Sequence, residues 1–154
     1  MKMSGGVGLA AVAGALLMAQ SMVALGAGKT CDARKYGAKA DGTTKDTKAI
    51  QAAIDACAGG GTVKLEGGTF LSGPILLKSG VTLDIEKDAT LLGSPDRADY
   101  PMVTFARQRT VQPLVSAVNA KNVTIDGGGT IDGNGKGWWD YVRGVRNGGV
   151  LGND

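Results

Sequence analysis

The chain has 154 residues, a formal net charge of +3, 26 glycines and no histidine. Its 17 Lys and Arg are scattered among 14 Asp and Glu, so it lacks the basic stripe that nucleic-acid binding requires. Without histidine, a histidine-based nucleophilic triad and a His-ligated zinc site are both excluded.

Residues 1–26 read as a secretory signal peptide. Lys2 gives a positive start, Val7 to Met18 an apolar run broken by Gly8 and Gly14, and Ala24, Gly26 and Ala27 the small residues of a cleavage site. The run falls short of the roughly 20 residues of a membrane span. Cleavage after Gly26 or Ala27 is therefore expected over an uncleaved anchor, leaving a secreted or periplasmic protein with no membrane attachment. Residues 27–154 suffice for one small domain. Its glycines lie among Val, Ile, Leu and Thr rather than in linkers, the mark of many short strands with tight corners.

An exported chain meets an oxidising compartment, so Cys31 and Cys57 are expected to pair. Closing a loop of about 27 residues would stabilise the fold by roughly 3 kcal/mol. Two buried thiols are the alternative, because sequence does not set the Cα separation.

A helix is expected over residues 46–57. Asp46 is its cap, with Thr43 as an alternative. Ala49, Ile50, Ala53, Ile54 and Cys57 recur at helical spacing, and Gly59-Gly60-Gly61 ends it. Period-two runs follow. Val63 and Leu65 alternate with Lys64 and Glu66, and Val81, Leu83 and Ile85 with Thr82, Asp84 and Glu86. Further short apolar runs lie at Phe70-Leu71, Ile75 to Leu77, Thr90 to Leu92, Leu114 to Val118, Val123 to Ile125 and Thr130-Ile131. Gly, Asn, Asp or Pro corners separate them.

These runs repeat. Val81-Thr82-Leu83-Asp84 matches Val123-Thr124-Ile125-Asp126, and the stretch from Ala89 resembles that from Gly129, at offsets of 42 and 40 residues. Two rungs of about 21 residues fit that interval, within the range of solenoids. The expected fold is an all-β solenoid, a right-handed parallel β-helix, with helix 46–57 capping its N-terminal end and a truncated C-terminal end at Gly148 to Gly152. The segment Pro95 to Gln112 interrupts the repeat and reads as a long loop, either functional or a solvated excursion.

Several stretches together resemble the N-terminal part of the polygalacturonases, glycoside hydrolase family 28, whose fold is pectin lyase-like. They are Tyr36-Gly37-Ala38 with Asp41-Gly42-Thr43, Asp46 to Gln51, Gly68 to Pro74, Leu77-Lys78-Ser79 with Val81-Thr82-Leu83, and Gly129 to Gly133 running to Trp138-Trp139. The resemblance implies a monomeric hydrolase of α-1,4-linked galacturonic acid in pectin, inverting and needing no cofactor. The family's acids come from an Asn-Thr-Asp motif and an Asp-Asp pair, joined by a Gly-His-Gly histidine and an Arg-Ile-Lys motif. None of the four is present in this sequence, so no catalytic residue is assigned.

Asp126 and Asp132, bracketing three glycines, could pose as an acid/base pair, but aspartates before glycine more often accept hydrogen bonds from turn amides. Asp132 and Asn134 could offer oxygens to Ca²⁺, although the spacing does not match calcium repeats. Trp138-Trp139 could stack on sugar or pack over the solenoid. Arg107, Arg109, Lys136 and Arg143 could attract polyanionic pectin or be simply solvated. Three readings stand: a pectin hydrolase represented by its N-terminal part, a pectate lyase or epimerase on the same fold, and a non-catalytic carbohydrate-binding solenoid.

Overall fold

A computed structural model describes residues 28–105 and 107–146; the expected signal peptide and the expected open end at 148–152 lie outside them. Short strands wind through three faces of a coil in repeated order. The first face stacks β1 (Thr30–Asp32), β3 (Thr62–Leu65), β6 (Thr82–Ile85) and β11 (Thr124–Asp126), all parallel. On the second lie β2 (Asp41–Lys45), β4 (Gly68–Ser72), β7 (Ala89–Gly93) and β12 (Thr130–Asp132), again parallel. The third holds β5 (Ile75–Leu77) and β10 (Val115–Ala117).

Register explains why period two was the visible signal. Val63 pairs with Leu83 and Leu83 with Ile125, while Phe70 pairs with Leu91 and Leu91 with Ile131. Every inward side chain thus sits on its equivalent in the next turn, and the stack closes one core from strands too short to bury a face alone. Threonines form a matching outward ladder at Thr30, Thr62, Thr82 and Thr124. Beside it Lys64 reaches Glu86 at 2.6 Å.

The turn length corrects the reading of the repeat. Thr62 pairs with Thr82 and Thr69 with Thr90, so a plain turn takes 20 or 21 residues. Thr82, however, pairs directly with Thr124 and Thr90 with Thr130. The offsets of 42 and 40 are therefore one turn, not two, lengthened by an insertion between β7 and β10. Nor is that insertion a plain loop. It holds a 3-10 turn at Arg97–Asp99 and an antiparallel hairpin of β8 (Met102–Phe105) and β9 (Gln108–Val111).

In the first turn α1 (Thr47–Ala56) takes the place that β5 and β10 hold later. Ile50, Ala53 and Ile54 are fully buried against the core. Gln51 completes the cover: its amide nitrogen donates to Leu76 O at 3.0 Å and its amide oxygen accepts from Leu76 N at 2.9 Å. One side chain thereby imitates a neighbouring strand and closes the edge of β5, an exposed template for aggregation otherwise. Gln51→Ala is expected to cost about 1–3 kcal/mol, the penalty for stranding these backbone groups. A urea titration checks this, and an unchanged midpoint would show that solvent serves the edge equally well.

Asp46 precedes α1 as expected but does not cap it with its side chain. It is 2% exposed, and its carboxylate accepts from Lys39 N at 2.7 Å and Ala40 N at 2.9 Å. Those two amides have no strand partner, and leaving them buried and unpaired would cost more than an uncapped helix end open to solvent. Thr43 is not a cap either. It lies in β2, where its amide and hydroxyl donate to Asp41. Thr44 does the same, and the Thr44 and Thr43 amides hold the Asp41 carboxyl well below the usual carboxylate range.

Cys31 in β1 and Cys57 after α1 are bonded, with Cα atoms 6.1 Å apart. The link ties the capping helix to the first strand. Gly61 passes so close that an added Cβ would lie 2.6 Å from the Cys57 sulfur and 2.7 Å from Lys29 O. Only glycine fits there.

Among the described residues the core is open at the far end. Ile125 is 48% and Ile131 44% exposed, whereas their partners Leu83 and Leu91 are fully buried. A second helix, α2 (Lys136–Arg146), follows the last turn and was not expected from the sequence. It leaves these two isoleucines open.

Candidate functional site

The residues singled out for chemistry fall around the last turn and the insertion. Asp126 ends β11, and its carboxylate accepts from Gly127 N at 2.8 Å. Asp132 ends β12 on a different face of the coil and accepts from Asn134 N at 2.8 Å. Both are exposed and each serves its own turn, the arrangement expected of aspartate before glycine. The structure does not join them into an acid/base pair.

Asn134 spends its side-chain amide on Gly93 O at 3.1 Å, a bond to the turn below. Among the described residues no group of three or more Asp, Glu, Cys or His converges as a metal site.

The tryptophans divide. Trp138 is partly buried and meets Tyr100 of the insertion edge to face, with ring centroids 5.4 Å apart. Trp139 is 67% exposed. One helical turn on from Trp138, Tyr141 lies under the Arg97 guanidinium, 3.6 Å from ring centre. Spacing of three residues puts Trp138 and Tyr141 on one face of α2, so this face packs on the insertion. Sequence reading missed Arg97, Tyr100 and Tyr141, although Trp138 and Tyr141 at i and i+3 were a readable sign of a helix.

Of the cations proposed to meet pectin, Arg143 pairs with Asp140 at 2.6 Å, and Lys136 lies 4.0 Å from the same carboxylate. Arg107 is exposed in the hairpin turn at φ 70°, and Arg109 is exposed on β9. A stronger network lies beneath the insertion. Lys45 of β2 reaches Asp99 at 2.7 Å and Asp96 at 3.2 Å. Asp99, then Asp96, push the Lys45 ammonium up. Asp96 is pulled down, first by the Ala98 amide and then by Lys45. Burial, with Asp99 second, raises the Tyr100 phenol. Between the hairpin and the outer face of β5 and β10 runs a shallow groove of about 430 Å³, lined by Leu76, Val103, Thr110, Gln112, Ser116 and Val118 among others. No helix of the described residues is long and apolar enough to cross a membrane.

Residues 31–137 match the family model described as "Rhamnogalacturonase A/epimerase, pectate lyase-like". The chain is 42% identical over 119 residues to an exo-poly-alpha-D-galacturonosidase of Dickeya chrysanthemi, a match covering 70% of this chain and 20% of the relative. A family 28 exopolygalacturonase of Yersinia enterocolitica superposes with a TM-score of 0.65 at 37% identity, covering 69% of this chain and 21% of that one. For a hyperthermoactive exopolygalacturonase from Thermotoga maritima the TM-score is 0.68 at 31% identity, covering 80% and 30%. The chain thus spans between a fifth and a third of these proteins. It belongs to the pectate lyase-like family of rhamnogalacturonase A and epimerase type, as a right-handed parallel β-helix similar to the N-terminal part of the family 28 polygalacturonases.

Proposed function

We propose that this chain is the N-terminal part of a secreted pectin hydrolase of polygalacturonase type, supplying the cap and first turns of the coil but not the catalytic acids. The observation that carries this reading is the core ladder ending on Ile125 and Ile131, in register with Leu83 and Leu91 but half open to water. Stacking one further turn on them would continue the coil toward the region where the relatives extend beyond this match.

Inverting hydrolysis needs one carboxylic acid to protonate the leaving oxygen and one carboxylate to activate water, about 6.5–9.5 Å apart. Asp126 and Asp132 are each occupied with a turn amide on separate faces. The chain alone is expected to have no hydrolytic activity. Purified protein incubated with polygalacturonate should release no reducing ends above a blank. Release would contradict the proposal and turn attention back to these two aspartates.

The family model's own wording includes epimerase and pectate lyase-like members, which keeps a lyase as the second reading for a longer protein. An unsaturated product absorbing in the ultraviolet would favour it over hydrolysis.

A further inference from the structure

The insertion and α2 enclose an open groove of about 560 Å³, walled by Tyr100, Met102, Val111, Trp138 and Tyr141, with Arg97 beside them. We propose that this groove binds a short acidic saccharide, with Arg97 pairing a uronate carboxylate and the aromatic side chains flanking the sugar ring.

Three features point to that ligand class. The walls are apolar yet exposed, Met102 at 53% and Val111 at 39%, and they stand beside aromatic rings able to cover the C–H face of a sugar. A guanidinium is the cation whose planar fork matches a carboxylate, and that of Arg97 sits over the Tyr141 ring, 3.6 Å from its centre. Stacking holds the group's orientation while leaving its N–H edge for a ligand.

Its charge is also uncommitted. Among the described residues no carboxylate pairs with Arg97, because its neighbours Asp96 and Asp99 are both taken by Lys45. Asp96 lines the groove as well, and Lys45 at 3.2 Å offsets its repulsion of an anion.

The groove is held in shape before any ligand arrives. Lys45 pins the insertion to β2, Asn134 ties the start of the α2 segment to Gly93, and Tyr100 meets Trp138 across the seam. Preorganisation of this kind reduces the ordering cost of binding. Choosing a uronate over other carboxylates rests on the pectin reading; the groove's geometry does not.

The test titrates the full chain with trigalacturonate and with neutral galactotriose, followed by calorimetry and tryptophan fluorescence. Saturable binding of trigalacturonate is expected, weaker for galactotriose. Arg97→Gln should lose roughly tenfold or more in affinity, as expected for one charge-assisted contact, with an unchanged thermal transition. Arg97→Lys, which keeps the charge without the fork, should fall between them. No saturable binding, or binding that both variants leave intact, would overturn the groove. In the latter case the pectin reading would survive, since the chain would still take the uronate elsewhere. Equal binding of galactotriose, insensitive to Arg97→Gln, would overturn the assignment to acidic sugar.

Discussion

Phe70→Ala is expected to destabilise the domain by about 3–5 kcal/mol, the range for emptying a large aromatic site in a close-packed core. Phe70 is fully buried and, among the described residues, is the largest of the fully buried side chains. Leu91 lies on one side of it, and on the other β2 shifts register between Asp41 and Lys45. Its ring belongs to the core cluster with Val63, Leu83 and Leu91. Arg34 covers it at 5.6 Å from the ring centroid, while its guanidinium donates to the carbonyls of Glu66, Gly67 and Lys39. With stability of small domains at about 5–15 kcal/mol, the loss should leave a large unfolded fraction. Phe70→Leu preserves most of the volume and is expected to cost less than about 1.5 kcal/mol. Urea denaturation of the two variants checks the difference; equal midpoints would mean that the space collapses around either side chain.

The second large effect belongs to the disulfide. Cys31 and Cys57 are 26 residues apart and both 1% exposed. Opening the link frees the unfolded chain more than it changes the folded one, and should lower stability by about 3 kcal/mol. Because the bond ties α1 to β1, the edge guarded by Gln51 should open as the cap loosens. Urea unfolding of the Cys31→Ala, Cys57→Ala double variant against the oxidised parent measures this. Matching midpoints would show that helix packing alone secures the cap.

The strands legible in the sequence were those whose inward Val, Ile and Leu alternate with polar neighbours, at Val63 to Leu65 and Thr82 to Ile85. β2 carried no such signal: its sequence is Asp-Gly-Thr-Thr-Lys, and bonds from the Thr amides and hydroxyls to Asp41 shape it locally. The hairpin β8–β9 turns near Arg107 without the Asn-Gly or Asp-Gly pair that marks such turns. Gly137 and Gly144 lower helix propensity within α2, and they masked the sign that the i, i+3 spacing of Trp138 and Tyr141 carried.

The length of the repeat misled for a related reason. An offset fixes where equivalent residues recur, but not whether the intervening chain stays in the coil. Residues between Gly93 and Val115 leave it. The groove beside Arg97 follows from that excursion. Its walls come from segments about forty residues apart that meet only because their turns are stacked, so no local pattern announces it.

The most direct test is a chimera. Residues 28–135 would replace the matching segment of the Dickeya chrysanthemi relative, to which this chain is 42% identical, and the product would be assayed on polygalacturonate. If the chain supplies the cap and opening turns of a pectin-hydrolase coil, the chimera should fold and release reducing ends. A folded, monomeric chimera with no hydrolysis would contradict it.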